Sequence, residues 1–248
     1  MLCAGTMTQN IYDDPAFFAG YAQLHRSQHG LDGAPEWPSL RALLPPMRGK
    51  RVVDLGCGYG WFARWASGEG AARVLALDVS EKMLAQAREI NAAPGIAYER
   101  ADLDALVLPE AAFDLAYSSL AFHYVADVAR LFATLARALV PGGRLVFSIE
   151  HPVFMAPRVP DWREGDDGRR IWPLDGYGRE GERRTDWLAP GVVKYHRTFG
   201  TTMNALIGVG FSLTHVEDWM PTPAQLAADP TLAPELDRPT FLIVAATR

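Results

Sequence analysis

The stretch from residue 51 to residue 150 constrains the fold more than any other part of the chain. Short apolar runs alternate there with amphipathic helical segments. Arg51–Leu55 runs into a glycine turn, Arg73–Leu77 runs into Asp78, and Ile96–Glu99, Phe113–Ser118 and Arg144–Glu150 read as three further strands. Tyr59–Ser67 reads as a helix, and Ser80 caps the next one, in which Met83, Leu84, Ala87 and Ile90 share a face. Asp127 caps the clearest helix, Asp127–Leu139, whose stripe is Val128, Leu131, Phe132, Leu135 and Leu139, and Pro141-Gly142-Gly143 ends it. Consecutive strands joined through helices must run parallel, because a tight hairpin joins only antiparallel strands. The pattern predicts an α/β, Rossmann-like sheet with helices on both faces.

The flanks read differently. Residues 1–50 read as an N-terminal cap: Tyr12, Phe17, Phe18, Tyr21 and Leu24 fall at near-helical spacing, and Gly30, Gly33, Pro35 and Pro38 punctuate a loop. Ser39–Leu44 reads as a short helix stopped by Pro45-Pro46. Residues 151–197, rich in Pro, Gly, Arg and Asp with Trp162, Trp172 and Trp187 interleaved, are expected to pack as a lid, since a structureless loop of that length is unusual in a compact domain. Thr198–Val209 reads as a helix with Phe199, Met203, Leu206 and Ile207 inward. Phe211–Trp219 and Thr240–Ala246 read as closing strands around a 220–239 loop. The expected organisation is a cap over 1–50 and one catalytic domain over 51–248, with its lid inserted at 151–197.

Charge and cysteine usage narrow the partners. Asp and Glu total 29 against 24 Lys and Arg, a net charge of -5, so the basic surplus that offsets phosphates in a nucleic-acid binder is absent. The lid arginines are nearly balanced by neighbouring acids and read as a salt-bridged surface. Two cysteines, Cys3 and Cys57, make no disulfide framework, which suits a reducing cytoplasm. No apolar run approaches the roughly 20 residues that span a bilayer. The opening MLCAGTMTQN lacks a basic region followed by an apolar stretch. The expectation is a cytoplasmic protein acting on a small-molecule substrate, with no nucleic acid or membrane as partner and a homodimer as the assembly allowed.

The chemistry is concentrated in Val52-Val53-Asp54-Leu55-Gly56-Cys57-Gly58-Tyr59-Gly60, which joins a buried strand to a helix. Glycines there let the backbone approach a ligand, and the amides at the helix start face it. The spacing is G-x-G-x-G rather than the G-x-G-x-x-G of dinucleotide enzymes, which speaks against a nicotinamide-dependent oxidoreductase. Asp78 ends the next strand, where doubly wound sheets use an acid to accept hydrogen bonds from ribose hydroxyls. Its bland reading is a helix-start residue before Ser80.

These residues together resemble the class I S-adenosylmethionine-dependent methyltransferases. Asp54-Leu55-Gly56-Cys57-Gly58-Tyr59-Gly60 is similar to that family's first motif, Leu77-Asp78-Val79-Ser80 with Met83 to its second, and Ala101-Asp102-Leu103 to its third. Leu139-Val140-Pro141-Gly142-Gly143-Arg144-Leu145 resembles the L-x-P-G-G turn before the fifth strand. The resemblance implies a seven-stranded sheet with the last strand antiparallel, and S-adenosyl-L-methionine as cofactor. It implies that Gly56, Cys57 and Gly58 hold the methionine part, Asp78 with Val79 the ribose, and Asp102 and Leu103 the adenine, near Met83. Asp54 would orient the turn or reach the ammonium group through water. Ser118 and Ser119 end strand four, where ligand-facing loops of open α/β sheets sit, and Arg26 in the cap would pair with the methionine carboxylate.

For catalysis the acceptor side offers His123, His151, His196 and Glu150 near strand ends and at the lid return, with His123 first because strand four faces the transferred methyl in this fold. Each histidine could equally serve packing. The same four side chains include metal-ligand types, but no pair has a tight metal spacing, and no metal is expected. Two other readings remain open at this point: a non-catalytic cofactor-binding protein of the same fold, and the oxidoreductase.

Overall fold

The structure, a computed structural model, describes residues 8–248; Cys3 and the first seven of the ten opening residues considered for a targeting signal lie outside them. The strands are β1 (Arg51–Leu55), β2 (Arg73–Asp78), β3 (Ile96–Arg100), β4 (Phe113–Ser119), β5 (Leu139–Glu150), β6 (Arg163–Glu164), β7 (Arg170–Ile171), β8 (Gly181–Trp187), β9 (Ala189–His196), β10 (Ser212–Asp218) and β11 (Phe241–Thr247). The helices are α1 (Pro15–Tyr21), α2 (His25–His29), α3 (Trp37–Leu43), α4 (Trp61–Gly68), α5 (Glu81–Ile90), α6 (Val128–Ala138), α7 (Pro152–Met155), α8 (Phe199–Gly208) and α9 (Pro223–Ala228).

Seven strands form one sheet in the order β10-β11-β5-β4-β1-β2-β3. β1 pairs parallel with both β2 and β4, β4 with β5, and β2 with β3, whereas β11 runs antiparallel to both of its neighbours, β5 and β10. This is the Rossmann-like sheet expected, with its last strand reversed. Alternation along β1 serves two cores: Val53 and Leu55 pack with Leu131, Phe132 and Phe147 on one face, and Val52 packs with Leu40, Phe62 and Tyr117 on the other. The chain leaves β1 toward β2 and β3, then returns to build β4 on the opposite side. The strand order therefore reverses between β1 and β4, and ligands of open α/β sheets bind outside the carboxyl ends of strands at such a point.

The caps at Ser80 and Asp127 stand where expected: Ser80 Oγ accepts the Met83 amide at 3.1 Å and Asp127 accepts that of Arg130 at 3.0 Å. Several boundaries differ. Pro141-Gly142-Gly143 lies within β5 rather than before it. Tyr59 precedes α4, whose N-cap is Gly60 in the left-handed region at φ 76°. The aromatic series from Tyr12 to Leu24 is broken into a 3-10 turn, α1 and the entry to α2. Asp14 is extended before Pro15, where a proline disfavours helix, and its side chain caps α1. Pro38 stands in the first turn of α3, a position proline tolerates, and not in a loop. On α8, Met203 and Leu206 are buried with Thr202, but Phe199 and Ile207 are exposed. Residues 151–197 carry two antiparallel hairpins, β6–β7 and β8–β9, and residues 220–239 carry α9 and a 3-10 helix at Pro230–Leu236. Among the described residues no helix is long and apolar enough to cross a membrane.

Candidate active site

The glycine turn is pinned to the end of β2. Gly56 and Cys57 donate their amides to the Leu77 carbonyl at 2.8 and 2.9 Å, and Gly60 closes the turn on the Cys57 carbonyl at 2.8 Å. Gly56, Gly58 and Gly60 take φ values of 74°, 52° and 76°, which L side chains rarely adopt. At Gly56 space adds to the requirement: a Cβ would lie 2.4 Å from that of Ala121.

Asp78 faces this turn. Its Oδ2 accepts the Gly58 amide at 2.9 Å and its Oδ1 accepts the Ser80 amide at 2.9 Å, so the helix-start role and the turn-facing role coexist. Burial pushes its carboxyl up, opposed by the amides of Ser80, Gly58 and Val79. Asp54, near the end of β1, is buried with its Oδ2 unpartnered among the described residues. Burial first and the charge of Asp78 second push the Asp54 carboxyl well above the ordinary carboxylate range.

A cavity of about 880 Å³ opens beside these groups, in the upper part of the range for small-molecule sites. Asp54, Gly56, Cys57, Gly58, Asp78, Val79, Asp102, Leu103 and Arg26 all line it. Met83 and Ser118 do not reach its wall. Met83 is fully buried on the inward face of α5, and Ser118 turns its Oγ to the Leu55 carbonyl at 2.7 Å, leaving Ser119 at the cavity. Arg26 reaches the wall already paired, its Nη1 and Nη2 lying 3.0 and 3.1 Å from the buried Glu36 carboxylate.

The acceptor-side residues divide similarly. His123 and Glu150 line the cavity; His151 and His196 do not. His151 accepts the Val153 amide on Nδ1 at 3.0 Å, capping α7, and turns Nε2 to Asp218 at 2.8 Å. His196 turns Nε2 to the Tyr177 carbonyl at 2.8 Å. His123 accepts the Glu150 amide on Nδ1 at 3.2 Å, which leaves the proton on Nε2, 4.0 Å from Glu150 Oε1. Burial, reinforced by Lys194 and Arg197, holds the His123 imidazole well below the usual histidine range and therefore neutral.

Lys194 is the wall residue that pattern reading missed. It is buried on β9, its Nζ 2.5 Å from Glu150 Oε1, with its ammonium over the rings of Trp187 and Tyr124. The strand does carry a signal, because Val192, Lys194 and His196 are buried in alternation while their neighbours are not. A second missed element is the segment before α1. Thr8 donates to Asp102 at 2.7 Å, Gln9 bonds the backbone of Gly191 and Val193 at 3.0 and 2.8 Å, and Asp13 accepts the Ser80 hydroxyl at 2.6 Å. This strap ties the ends of β2 and β3 to the β8–β9 hairpin. Among the described residues no group of three His, Cys, Asp or Glu side chains is arranged to hold a metal ion.

The residues around the turn suit a cationic adenosyl amino acid. Its ammonium would meet the unpartnered Asp54 oxygen, and only a backbone without Cβ at Gly56 leaves the cradle open. Residues 53–147 match the family model for a methyltransferase domain. A solved S-adenosylmethionine dependent methyltransferase from Mesorhizobium loti is 64% identical, covering 88% of this chain and 100% of its own at a TM-score of 0.85. The chain belongs to the S-adenosylmethionine-dependent methyltransferases. A Listeria monocytogenes structure assigned to the same class is 35% identical, covering 87% of this methyltransferase and 98% of its own chain at a TM-score of 0.79. A malonyl-[acyl-carrier protein] O-methyltransferase from Enterobacter lignolyticus is 37% identical over 58% of this chain, and the match spans 55% of that relative's length. The family takes S-adenosylmethionine as cofactor.

Proposed function

We propose that this methyltransferase moves the methyl group of S-adenosylmethionine to a small-molecule acceptor held beneath the 151–197 lid and the 1–50 cap. The observation that carries the reading is the single cavity joining the glycine turn and Asp78 to the buried Glu150–Lys194 pair. A chamber of this kind aligns two small reactants and keeps water from between them, and alignment alone can supply about 7–11 kcal/mol in favourable systems.

In this reading Asp54, Gly56, Cys57 and Gly58 hold the methionine part, Asp78 and Val79 the ribose, and Asp102 with Leu103 the adenine. S-adenosylmethionine supplies an electrophilic methyl group on a sulfonium centre. Arg26 stands beside the methionine part with its charge shared by Glu36. Met83 and Ser118 act from behind the wall, as packing on the inward face of α5 and as the tie between β4 and β1.

An acceptor hydroxyl, amine or acidic carbon sheds a proton as it is methylated. Glu150 is the acceptor-side carboxylate suited to receive it, with Lys194 holding Oε1 and His123 holding the strand-end amide. His123 itself is a poor first acceptor of that proton, because its free lone pair is already engaged by the Glu150 amide. A positioned general base contributes roughly 10²–10⁴-fold.

The test is a panel of hydroxyl, amine and acidic-carbon acceptors incubated with methyl-labelled S-adenosylmethionine. Label should pass to one acceptor class, and Glu150→Gln should slow that transfer by about 100-fold or more with S-adenosylhomocysteine affinity unchanged. Tight cofactor binding with no transfer to any acceptor would favour the non-catalytic reading instead.

A further inference from the structure

The wall of the cavity changes sign between its two ends. Around the glycine turn it presents the carboxylates of Asp54, Asp78 and Asp102. Along the 151–197 segment it presents Arg158, Arg183, Arg184 and Lys194 against one acid, Asp186. Three of these five charges are already engaged, Lys194 by its pair with Glu150. Asp186 accepts the Gly191 amide at 3.0 Å, and Arg184 pairs with Glu182 at 2.8 Å.

Arg158 and Arg183 are left. Among the described residues neither guanidinium is ion-paired. Arg183 spends its Nη2 on the carbonyls of Arg179 and Ala156 at 2.6 and 3.5 Å and its Nη1 on the Glu182 carbonyl at 3.2 Å, all neutral acceptors. Its Nε is buried without a partner among the described residues. Asp175 offsets part of the charge from outside the wall, where its Oδ1 receives the Arg158 backbone amide at 3.3 Å. Burial lowers the Arg183 pKa, the Arg158 charge adds to that, and Asp175 opposes it. Two like charges held near each other on a ligand cavity, one with an unsatisfied buried donor, are stabilised by an anion that enters with the ligand. A planar guanidinium suits a carboxylate or a phosphate group in particular. The same stretch of wall is otherwise apolar, with Phe154, Pro157, Val159 and Pro160 beside Arg158.

We propose that the acceptor is amphipathic: an apolar body against Phe154 and Val159, and a carboxylate or phosphate group seated on Arg158 and Arg183. The inference rests on the methyl-transfer reading only in calling that ligand the acceptor.

The experiment titrates the wild-type complex with S-adenosylhomocysteine against benzoate, phenyl phosphate and neutral benzamide, and repeats this on Arg158→Gln and on Arg158→Gln/Arg183→Gln. One anion should bind saturably and benzamide should not; which anion binds separates the carboxylate from the phosphate. The double variant should bind that anion about tenfold more weakly or worse with S-adenosylhomocysteine affinity unchanged. The single variant, whose lost side chain makes no hydrogen bond among the described residues, should fall between. Failure of both anions to bind, equal binding of benzamide, or full anion affinity in folded Arg158→Gln would overturn the proposal. Failure of the wild type to bind S-adenosylhomocysteine at all would strike the methyl-transfer reading instead.

Discussion

Asp78 reaches back across the end of the sheet to Gly58, its Oδ2 accepting that residue's amide at 2.9 Å while its Oδ1 accepts the Ser80 amide. One carboxylate thereby fixes the glycine turn and the start of α5 together, and it does so at the wall of the cavity. Hydrogen bonds to a charged acceptor are worth about 1.5–3 kcal/mol each, so its loss should be felt in ligand affinity. Asp78→Ala is expected to weaken S-adenosylmethionine binding about tenfold or more, measured by equilibrium dialysis of labelled cofactor. Unchanged affinity in a folded variant would remove Asp78 from the donor site.

Gly56→Ala combines two penalties, a left-handed backbone and a Cβ 2.4 Å from that of Ala121. A non-glycine residue in that region costs about 1–3 kcal/mol before any overlap is counted. The melting temperature should fall, by roughly 2–4 °C for each kcal/mol lost in a chain of this size. Gly56→Ala/Ala121→Gly should recover the steric share and leave the backbone share. If the double variant melts no higher than Gly56→Ala, the clash is not what excludes a side chain there.

Asp54 gives a pH signature. Because burial and then the charge of Asp78 raise its folded-state pKa, the folded protein binds this proton more tightly than the unfolded chain does. The associated stability is complete below the ordinary carboxylate value and is lost as pH rises through the raised folded value. Unfolding free energy of the ligand-free protein should therefore decline with rising pH above the ordinary carboxylate range, and Asp54→Asn should flatten the decline. Urea titrations from about pH 5 to about pH 8 read this directly, and equal slopes for both proteins would contradict it.

The Glu150–Lys194 pair should behave as a unit. Lys194→Met leaves a carboxylate with only 13% of its side chain exposed and no cation on it, and breaking a buried pair in this way costs about 3–5 kcal/mol. Lys194→Met/Glu150→Gln removes the stranded charge and should be more stable than Lys194→Met alone. Denaturant unfolding of the wild type, Lys194→Met, Glu150→Gln and the double variant measures the coupling, and strictly additive losses would show that the two side chains do not interact.

The central sheet was legible because each of its strands declares itself locally. Val52–Leu55 and Leu145–Ile149 are apolar runs buried by packing on both faces, and the turn after β1 carries glycines that no other conformation requires. Asp78 was legible for the same reason, since it ends such a run. The acceptor side was not. Lys194 is charged, and nothing near it in sequence announces a partner 44 residues away on β5. The β8 strand reads Gly-Glu-Arg-Arg-Thr-Asp-Trp, and its alternation of half-buried and exposed residues is hidden because charged residues stand on both sides. Ser118 and Ser119 show the limit of locating a strand end without its register: adjacent residues face opposite ways, and Ser119 is the one at the cavity. Arg26 does reach the cavity wall, but its partner Glu36 stands ten residues on, at the N-cap of α3.

The most direct measurement is an isothermal titration of S-adenosylhomocysteine into the folded wild-type protein. The account predicts saturable binding of one molecule per chain in the micromolar range or tighter, about -8 kcal/mol or more favourable. Absence of saturable heat from a protein shown to be folded would contradict it.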